Sequence, residues 1–496
     1  MSTDTPRAAD PRRRLSLVFI GLAQLMIVLD ITIVNIALPS AQRDLGVSDG
    51  DRQWVITAYT LAFGSLLLLG GRIADLTGRR RAFLIGLTGF AVASALGGAA
   101  PDFGVLLAAR ALQGVFAALL APAALSLLSV SFTEPAERAK AFAVFGAIAA
   151  GGGAIGLVLG GVLTEYLDWR WCLYVNVFIA AVAAAGRYVL PADTPAGRDR
   201  ARLDIPGVLL AVCALVAVVY GCSEAEAEGW DSPAVVGPLV AGGVLLTVFV
   251  LVERRVAHPL LPLRVVLDRT RGSAYLAVAV ATVGMFGMFL FLTYYMQLVK
   301  GYSAMLTGVA FLPMTAAVLV AAGGVAARLI PRVPPRALVA PGLLVAATGV
   351  ALLVPLDPDS SYAAGVLPAE LLVGFGMGLV MAPSMNYATH GVRAQEAGIA
   401  SATVNTGQQI GGSLGTALLN TVAASATADH LAAHRDRPPG PDLRDAALVE
   451  GFSDAFLVAA VILASASLLV AALMNTPRPK GRAAAEGTEP TMTHIG

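Results

Sequence analysis

Three ionisable side chains stand where their neighbours are almost all apolar. Asp30 lies inside "LMIVLDITIVNIALP" (Leu25 to Pro39), Arg110 inside an Ala- and Leu-rich run, and Glu370 inside another. At a bilayer centre such a charge costs roughly 2.5–3.5 kcal/mol, which makes an intramembrane charge a functional candidate. Burial favours the neutral form of a carboxyl group, and a nearby guanidinium favours its charged form. A carboxyl held between those pulls can take up a proton on one side of a membrane and release it on the other. Asp30 is therefore the expected proton carrier, with Arg110 as its modulator and Glu370 as a second candidate carrier. The competing reading is a static ion pair, or for Glu370 a snorkelling side chain, that only fixes packing. Other chemistries lack their residues. Cys172, Cys213 and Cys222 have no metal-ligand spacing, and no nucleophile–base pair or phosphate-binding glycine loop is present. A membrane enzyme, a metal site and an ATP-driven pump are all disfavoured.

These side chains need helices to hold them. The chain has 496 residues, 57% hydrophobic and 14% charged, whereas soluble domains are about one quarter charged. A net charge of +1 gives no case for a nucleic-acid partner. About 20 apolar residues cross a hydrocarbon core near 30 Å thick. On that ruler fourteen helices are expected, near 16–38, 53–72, 82–100, 103–130, 138–163, 170–190, 205–222, 236–252, 272–298, 304–326, 336–355, 362–389, 396–424 and 452–474. "PRRR" (Pro11 to Arg14) opens a run long enough to span, so the first helix is read as retained rather than as a cleaved signal. An even count puts both termini on one side. Assigning that side to the cytoplasm leaves most of the 34 Lys and Arg in inner loops and tails, as the positive-inside rule requires. Trp54, Trp169, Trp171 and Trp230 then all fall at the outer boundary. Only Lys140, Lys300 and Lys480 are lysines, a bias that suggests a GC-rich bacterial genome. In this frame Asp30, Arg110 and Glu370 each lie about 10–12 Å below the outer face, at one level where they can face a common cavity.

The chain also repeats itself. "GGRIADLTGRRRAFLIGL" from Gly70 compares with "GGVAARLIPRVPPRALVAPGL" from Gly323, and "RALQG" from Arg110 with "ELLVG" from Glu370. Glu137 and Glu396 open the following helices, and glycine pairs come next (Gly152–Gly153, Gly411–Gly412). Two similar six-helix halves are implied, a pattern of alternating-access carriers. The organisation read from this is a cytoplasmic tail (1–15), an N-terminal bundle (16–192), two inserted helices (203–254), a C-terminal bundle (272–475) and a solvated tail (476–496).

At these residues the chain resembles the major facilitator superfamily, and more narrowly the fourteen-helix drug:proton antiporters of bacterial multidrug efflux. Gly71-x-x-x-Asp75-x-x-Gly78-Arg79-Arg80-Arg81 matches the superfamily's cytoplasmic-loop motif, which in the family latches the outward-facing state. Asp75 is expected against a neighbouring helix N-terminus or an arginine. "LDITIVNIALP" resembles the helix-1 motif of the drug antiporters, "RALQG" the helix-4 motif with its embedded arginine, and "LDWRWCLYVN" the helix-5/6 junction of the fourteen-helix group. The chain departs from the pattern at two points: Phe178 stands where that junction usually has proline, and Leu157 replaces the proline of the helix-5 antiporter motif in "GLVLGG". The resemblance implies an all-α membrane protein with the major facilitator fold, fourteen helices as two pseudo-symmetric six-helix bundles plus two inserted helices.

A substrate pocket is read from residue type. Phe286, Phe289 and Tyr294 in helix 9 and Met377, Met381 and Met385 in helix 12 offer aromatic faces and flexible thioethers. Gln113, Asn405, Gln408 and Gln409 add uncharged polar groups. Ordinary packing and interhelix bonding compete with this reading. The acidic outer stretch "SEAEAEGWD" (Ser223 to Asp231) carries no evident chemistry, Asp429 to Ala446 is read as a polar outer loop, and His390 as an interfacial residue. The leading expectation is proton-coupled export of small amphipathic drugs or secreted metabolites by alternating access. It needs no cofactor beyond the proton gradient, and its partners are protons, the small amphipathic molecule and the bilayer. The protein is expected to act as a monomer in a bacterial cytoplasmic membrane. A metabolite-specific carrier or importer on the same fold is the alternative.

Overall fold

The computed structural model describes residues 11–48, 51–132, 134–193, 204–256, 263–330, 332–388, 397–436 and 440–474. Every regular element among them is helical. Lipid offers a backbone no water to bond, and a helix satisfies its own N–H and C=O groups. Fourteen rods follow in chain order. The N-terminal six are α1 (Pro11–Leu45), α2 (Trp54–Thr77), α3 (Arg79–Gly98), α4 (Phe103–Ser131), α5 (Pro135–Tyr166) and α6 (Trp171–Ala184). Next come α7 (Ile205–Glu228) and α8 (Pro233–Glu253). The last six are α9 (Arg269–Tyr294), α10 (Ala304–Leu329), α11 (Arg336–Ala351), α12 (Tyr362–Ala388), α13 (Ala397–Ala433) and α14 (Pro441–Leu473). Ten are long and apolar enough to cross a membrane, and α2, α5, α11 and α13 complete a set that fits the expected fourteen. Large apolar side chains such as Val240, Val461 and Leu468 face outward, as lipid-facing surfaces do.

Several boundaries differ from the hydropathy reading. Pro11 to Leu15 already belong to α1. Much of the expected loop from Asp429 to Ala446 is helix, because α13 runs to Ala433 and α14 begins at Pro441. A helical ladder does not stop where the solvent changes, and proline suits a helix start because the first N–H has no partner there. Helix α10 breaks at Phe311, just before Pro313, and passes through a π-turn at Val320–Ala326. Two more π-turns, Tyr295–Val299 and Tyr362–Val366, end α9 and begin α12. His390, Glu396, residues 1–10, the C-terminal tail and the Asp75 side chain lie outside the described residues.

The two halves use the same pairings. Helix α4 packs on α2 and α3 as α12 packs on α10 and α11, and α5 packs on α1 as α13 packs on α9. The matched glycines explain this. A Cβ at Gly114 would lie 2.4 Å from the Tyr59 carbonyl of α2, and one at Gly374 would lie 2.3 Å from the Met314 carbonyl of α10. Small residues let helix backbones approach in a membrane, where lipid and leucine are equally apolar. Across the seam α2 meets α13, α5 meets α10 and α1 meets α9, while α7 lies beside α2 and α13 with α8 behind it.

Candidate functional site

Asp30 and Arg110 meet. Arg110 Nη1 donates to Asp30 Oδ2 at 2.6 Å, and the two residues are 0% and 1% exposed. Asp30 Oδ1 accepts from Gln113 Nε2 at 2.9 Å and from Asn176 Nδ2 at 2.7 Å. Helix periodicity puts Gln113 on the face of Arg110, three residues on, and Arg110 Nη1 also donates to Gln113 Oε1 at 2.8 Å. Because a guanidinium only donates, that contact fixes which way the Gln113 amide points. Gln113 Nε2 further donates to Ser94 Oγ at 2.7 Å. Arg110 Nε donates to the Val55 carbonyl at 3.0 Å, and its guanidinium lies 4.5 Å from the Tyr59 ring centroid. Five helices (α1, α2, α3, α4 and α6) thus converge on one ion pair. With only N–H donors against it, Asp30 shows the surroundings of an ionised carboxylate. A narrow cavity reaches from Arg110 to Trp169, walled also by Val34, Leu38, Val55 and Leu106.

Glu370 is elsewhere. It is 0% exposed and lies in α12 of the other half, where its Oε2 is 3.2 Å from Tyr362 Oη. Among the described residues Asp30 and Glu370 share no hydrogen-bond partner. Each acid is enclosed by its own half, because each finds polar partners there.

The tryptophan-bearing end is also where the halves are tied. Arg52 Nε donates to Asn420 Oδ1 at 3.1 Å, and the Arg52 guanidinium lies 4.1 Å from the Tyr294 ring centroid. The Tyr294 hydroxyl donates to Gln42 Oε1. Gln297 Nε2 donates to the Ile36 carbonyl at 3.1 Å, and the Met305 N–H donates to Glu165 Oε2 at 3.0 Å. Leu157 joins this seam through its backbone: a Cβ at Gly308 would lie 2.2 Å from the Leu157 carbonyl.

The pocket residues divide. Gln113 is committed to the Asp30 network and Tyr294 to the seam. Phe289 packs on Phe311 with centroids 4.8 Å apart, and Phe286 lies against Gly412. Met377 is buried. Gln408 Nε2 is 3.7 Å from Met381 Sδ, Gln409 sits against Gly64 of α2, and Asn405 and Gln408 are half-buried on α13. In the loop motif Gly78 has φ +104°, a conformation that glycine tolerates. The carboxylate at the start of α3 is Asp193, which accepts from the Arg80 N–H at 2.8 Å and the Arg81 N–H at 3.2 Å. Arg79 opens the same helix, and Gly71 passes beside Pro122 of α4. Sequence reasoning missed Tyr59, Ser94, Tyr362 and Asp193; only Asn176, in the quoted helix-5/6 stretch, stood in a motif that could have pointed to it.

The Major Facilitator Superfamily model matches residues 20–416. The chain belongs to that superfamily. Among relatives of this superfamily member, it is 56% identical to the puromycin resistance protein pur8 of Streptomyces alboniger, over 94% of this chain and 91% of that one. It is 39% identical to the cephamycin export protein CmcT of Amycolatopsis lactamdurans, over 97% and 95%. A solved bacterial homologue of the human lysosomal transporter Spinster superposes with a TM-score of 0.66 at 16% identity, over 94% of this chain and 98% of that one; that likeness shows the fold. Fold and family together make this superfamily member a multi-pass membrane transporter.

Proposed function

We propose that the protein exports a small amphipathic antibiotic or secreted metabolite across a bacterial cytoplasmic membrane in exchange for protons. Both termini lie in the cytoplasm and the tryptophan-bearing end faces out. The proton gradient drives the cycle, and the protein works as a monomer. The observation that carries this reading is the Asp30–Arg110 pair: two fully buried charges on spanning helices of a superfamily built for transport. Relatives named for antibiotic resistance and export support the direction. Asp30 is the primary proton carrier, Arg110 sets its charge balance and Glu370 is the second carrier. Phe286, Phe289, Met377, Met381, Asn405, Gln408 and Gln409 line the substrate path, while Gly71, Asp75, Gly78, Arg79 and Arg80 form the cytoplasmic gate.

The decisive experiment expresses the chain in a pump-deficient bacterial host and challenges it with puromycin, lipophilic cations and neutral antibiotics, with and without a proton uncoupler. Protection that vanishes on uncoupling is expected. Protection from nothing, or protection that survives uncoupling, overturns the reading. The second reading, a metabolite-specific carrier or importer, is favoured by one feature: Leu157 replaces the antiporter proline, and α5 runs unbroken from Pro135 to Tyr166. Transport direction in inverted membrane vesicles separates the two.

A further inference from the structure

The two buried acids are bonded in opposite ways. Asp30 receives three N–H donors, one of them from the charged guanidinium of Arg110. Around Glu370 the count runs the other way. Among the described residues its one hydrogen-bonding neighbour is the Tyr362 hydroxyl, and Glu370 Oε1 has no partner. Tyr362 has a single hydroxyl proton. Its oxygen lies 2.6 Å from the Ala310 carbonyl, an atom that can only accept, beside the break of α10 at Phe311. The phenol proton is thereby spent on Ala310. The remaining 3.2 Å contact is a hydrogen bond only if Glu370 supplies the proton.

From this geometry we infer that Glu370 is a neutral carboxylic acid in the same conformation in which Asp30 is ionised. Its proton is donated to Tyr362 Oη while Tyr362 donates to the Ala310 carbonyl. The inference deepens the proton-coupling reading and rests on it. Ionisable neighbours do not alter the proton count. Tyr362 is the one against the carboxyl, with Tyr302 beyond it. The other ionisable groups of α10 and α11 are Arg328 and Arg336, both near the end of the bundle opposite Tyr362, and α9 brings Arg269 and Arg271 there. Lys300 donates to the Pro358 carbonyl at 2.9 Å among the loop acids Asp357 and Asp359, and α13 offers Asp429 and His430 only at its tryptophan-side end. When the helices around Glu370 part, the carboxylic acid releases its proton to water and becomes a carboxylate. Tyr362 stays a phenol throughout. Each half thus has one site for an exchangeable proton, and the two sites are out of phase.

Infrared spectroscopy of the full-length protein in lipid nanodiscs tests this. A protonated-carboxyl C=O band is expected at neutral pH, lost in Glu370→Gln, kept in Asp30→Asn, and moved to higher frequency in Tyr362→Phe, which removes the bond's acceptor. The Gln side chain can donate to Tyr362 as the acid does, so the local geometry survives the substitution. Absence of the band in the unaltered protein, or its persistence in Glu370→Gln, overturns the inference. In proteoliposomes the gradient-driven accumulation ratio should fall about tenfold per pH unit of gradient in Glu370→Gln, the equivalent of one proton per substrate; an unchanged ratio also overturns it. Failure of the export reading would look different, as no gradient-driven transport by the unaltered protein with the band still present.

Discussion

Asp30→Asn removes one charge from a pair that has no water to fall back on. Arg110 keeps its bonds to the Val55 carbonyl and Gln113 but becomes an uncompensated buried cation. Breaking a buried pair from one side costs about 3–5 kcal/mol. The new amide adds a local conflict. If its oxygen faces Arg110, its NH2 faces Gln113 Nε2, and Gln113 cannot turn because Arg110 holds its other end. Asn176 can turn, since its own Oδ1 is unpaired. Asp30→Asn should therefore lower stability by several kcal/mol and cut the gradient-driven accumulation ratio to the share coupled through Glu370, while substrate counterflow across proteoliposomes, which needs no net proton movement, persists. Adding Arg110→Gln removes the orphaned cation and should recover part of the stability, giving an interaction energy of about 1–3 kcal/mol between the two positions. The lost share of coupling should not return, because no titrating acid has been restored. Unfolding measured in nanodiscs for the two single variants and the double variant supplies the cycle. Strictly additive losses, or gradient-driven transport at the original level in Asp30→Asn, would refute the reasoning.

Gly114→Leu and Gly374→Leu should each prevent accumulation of folded protein, because each places a side chain against a carbonyl of the neighbouring helix; Gly324→Leu, with nothing within 4 Å, should express normally, as monitored by size-exclusion of a fluorescent fusion. Asp193→Ala removes the carboxylate at the start of α3 and should cost about 0.3–1 kcal/mol, seen as a modest drop in the unfolding midpoint with the fold retained. Gly308→Val should wedge α10 from α5 at the seam and speed labelling of a cysteine introduced at Asn420, a residue now buried there; unchanged labelling would mean that this crossing does not hold the end shut. Pro39→Ala should stiffen α1 between the ion pair and the seam, slowing transport without weakening the Asp30–Arg110 interaction energy.

The fold was legible because hydrophobic length and the repeat are global signals. Gly114 and Gly374 stood in matched motifs, and both prove to be helix crossings of the same kind. Asp30 with Arg110 was legible because a charge in lipid requires a partner and few were on offer. Tyr362 and Glu370 were harder to connect. They are eight residues apart, and a π-turn separates them, so regular helix arithmetic does not predict their contact. Arg52 reads in sequence as an ordinary loop charge; only the packing of α2 against α13 buries it and turns it towards Asn420. Tyr294 suited a binding pocket by type, yet sits at the seam, because residue type alone does not say which face of a helix looks into which space.

One helix joins the two regions. Twelve residues separate Asp30 from Gln42 on α1, about 18 Å of helix, and that segment also supplies the Ile36 carbonyl to Gln297. Pro39 stands between the acid and Gln42 and leaves the Asn35 carbonyl without its usual N–H, which makes this the natural place for α1 to bend. A change in charge at Asp30 alters how tightly α1 is held to α4 and α6, and any resulting shift of α1 is felt where Ile36 and Gln42 meet α9. Glu370 has no such lever on the seam through α1; it acts through α12 and its contact with the broken helix α10. That difference gives a physical reason for the out-of-phase protonation proposed for the two acids.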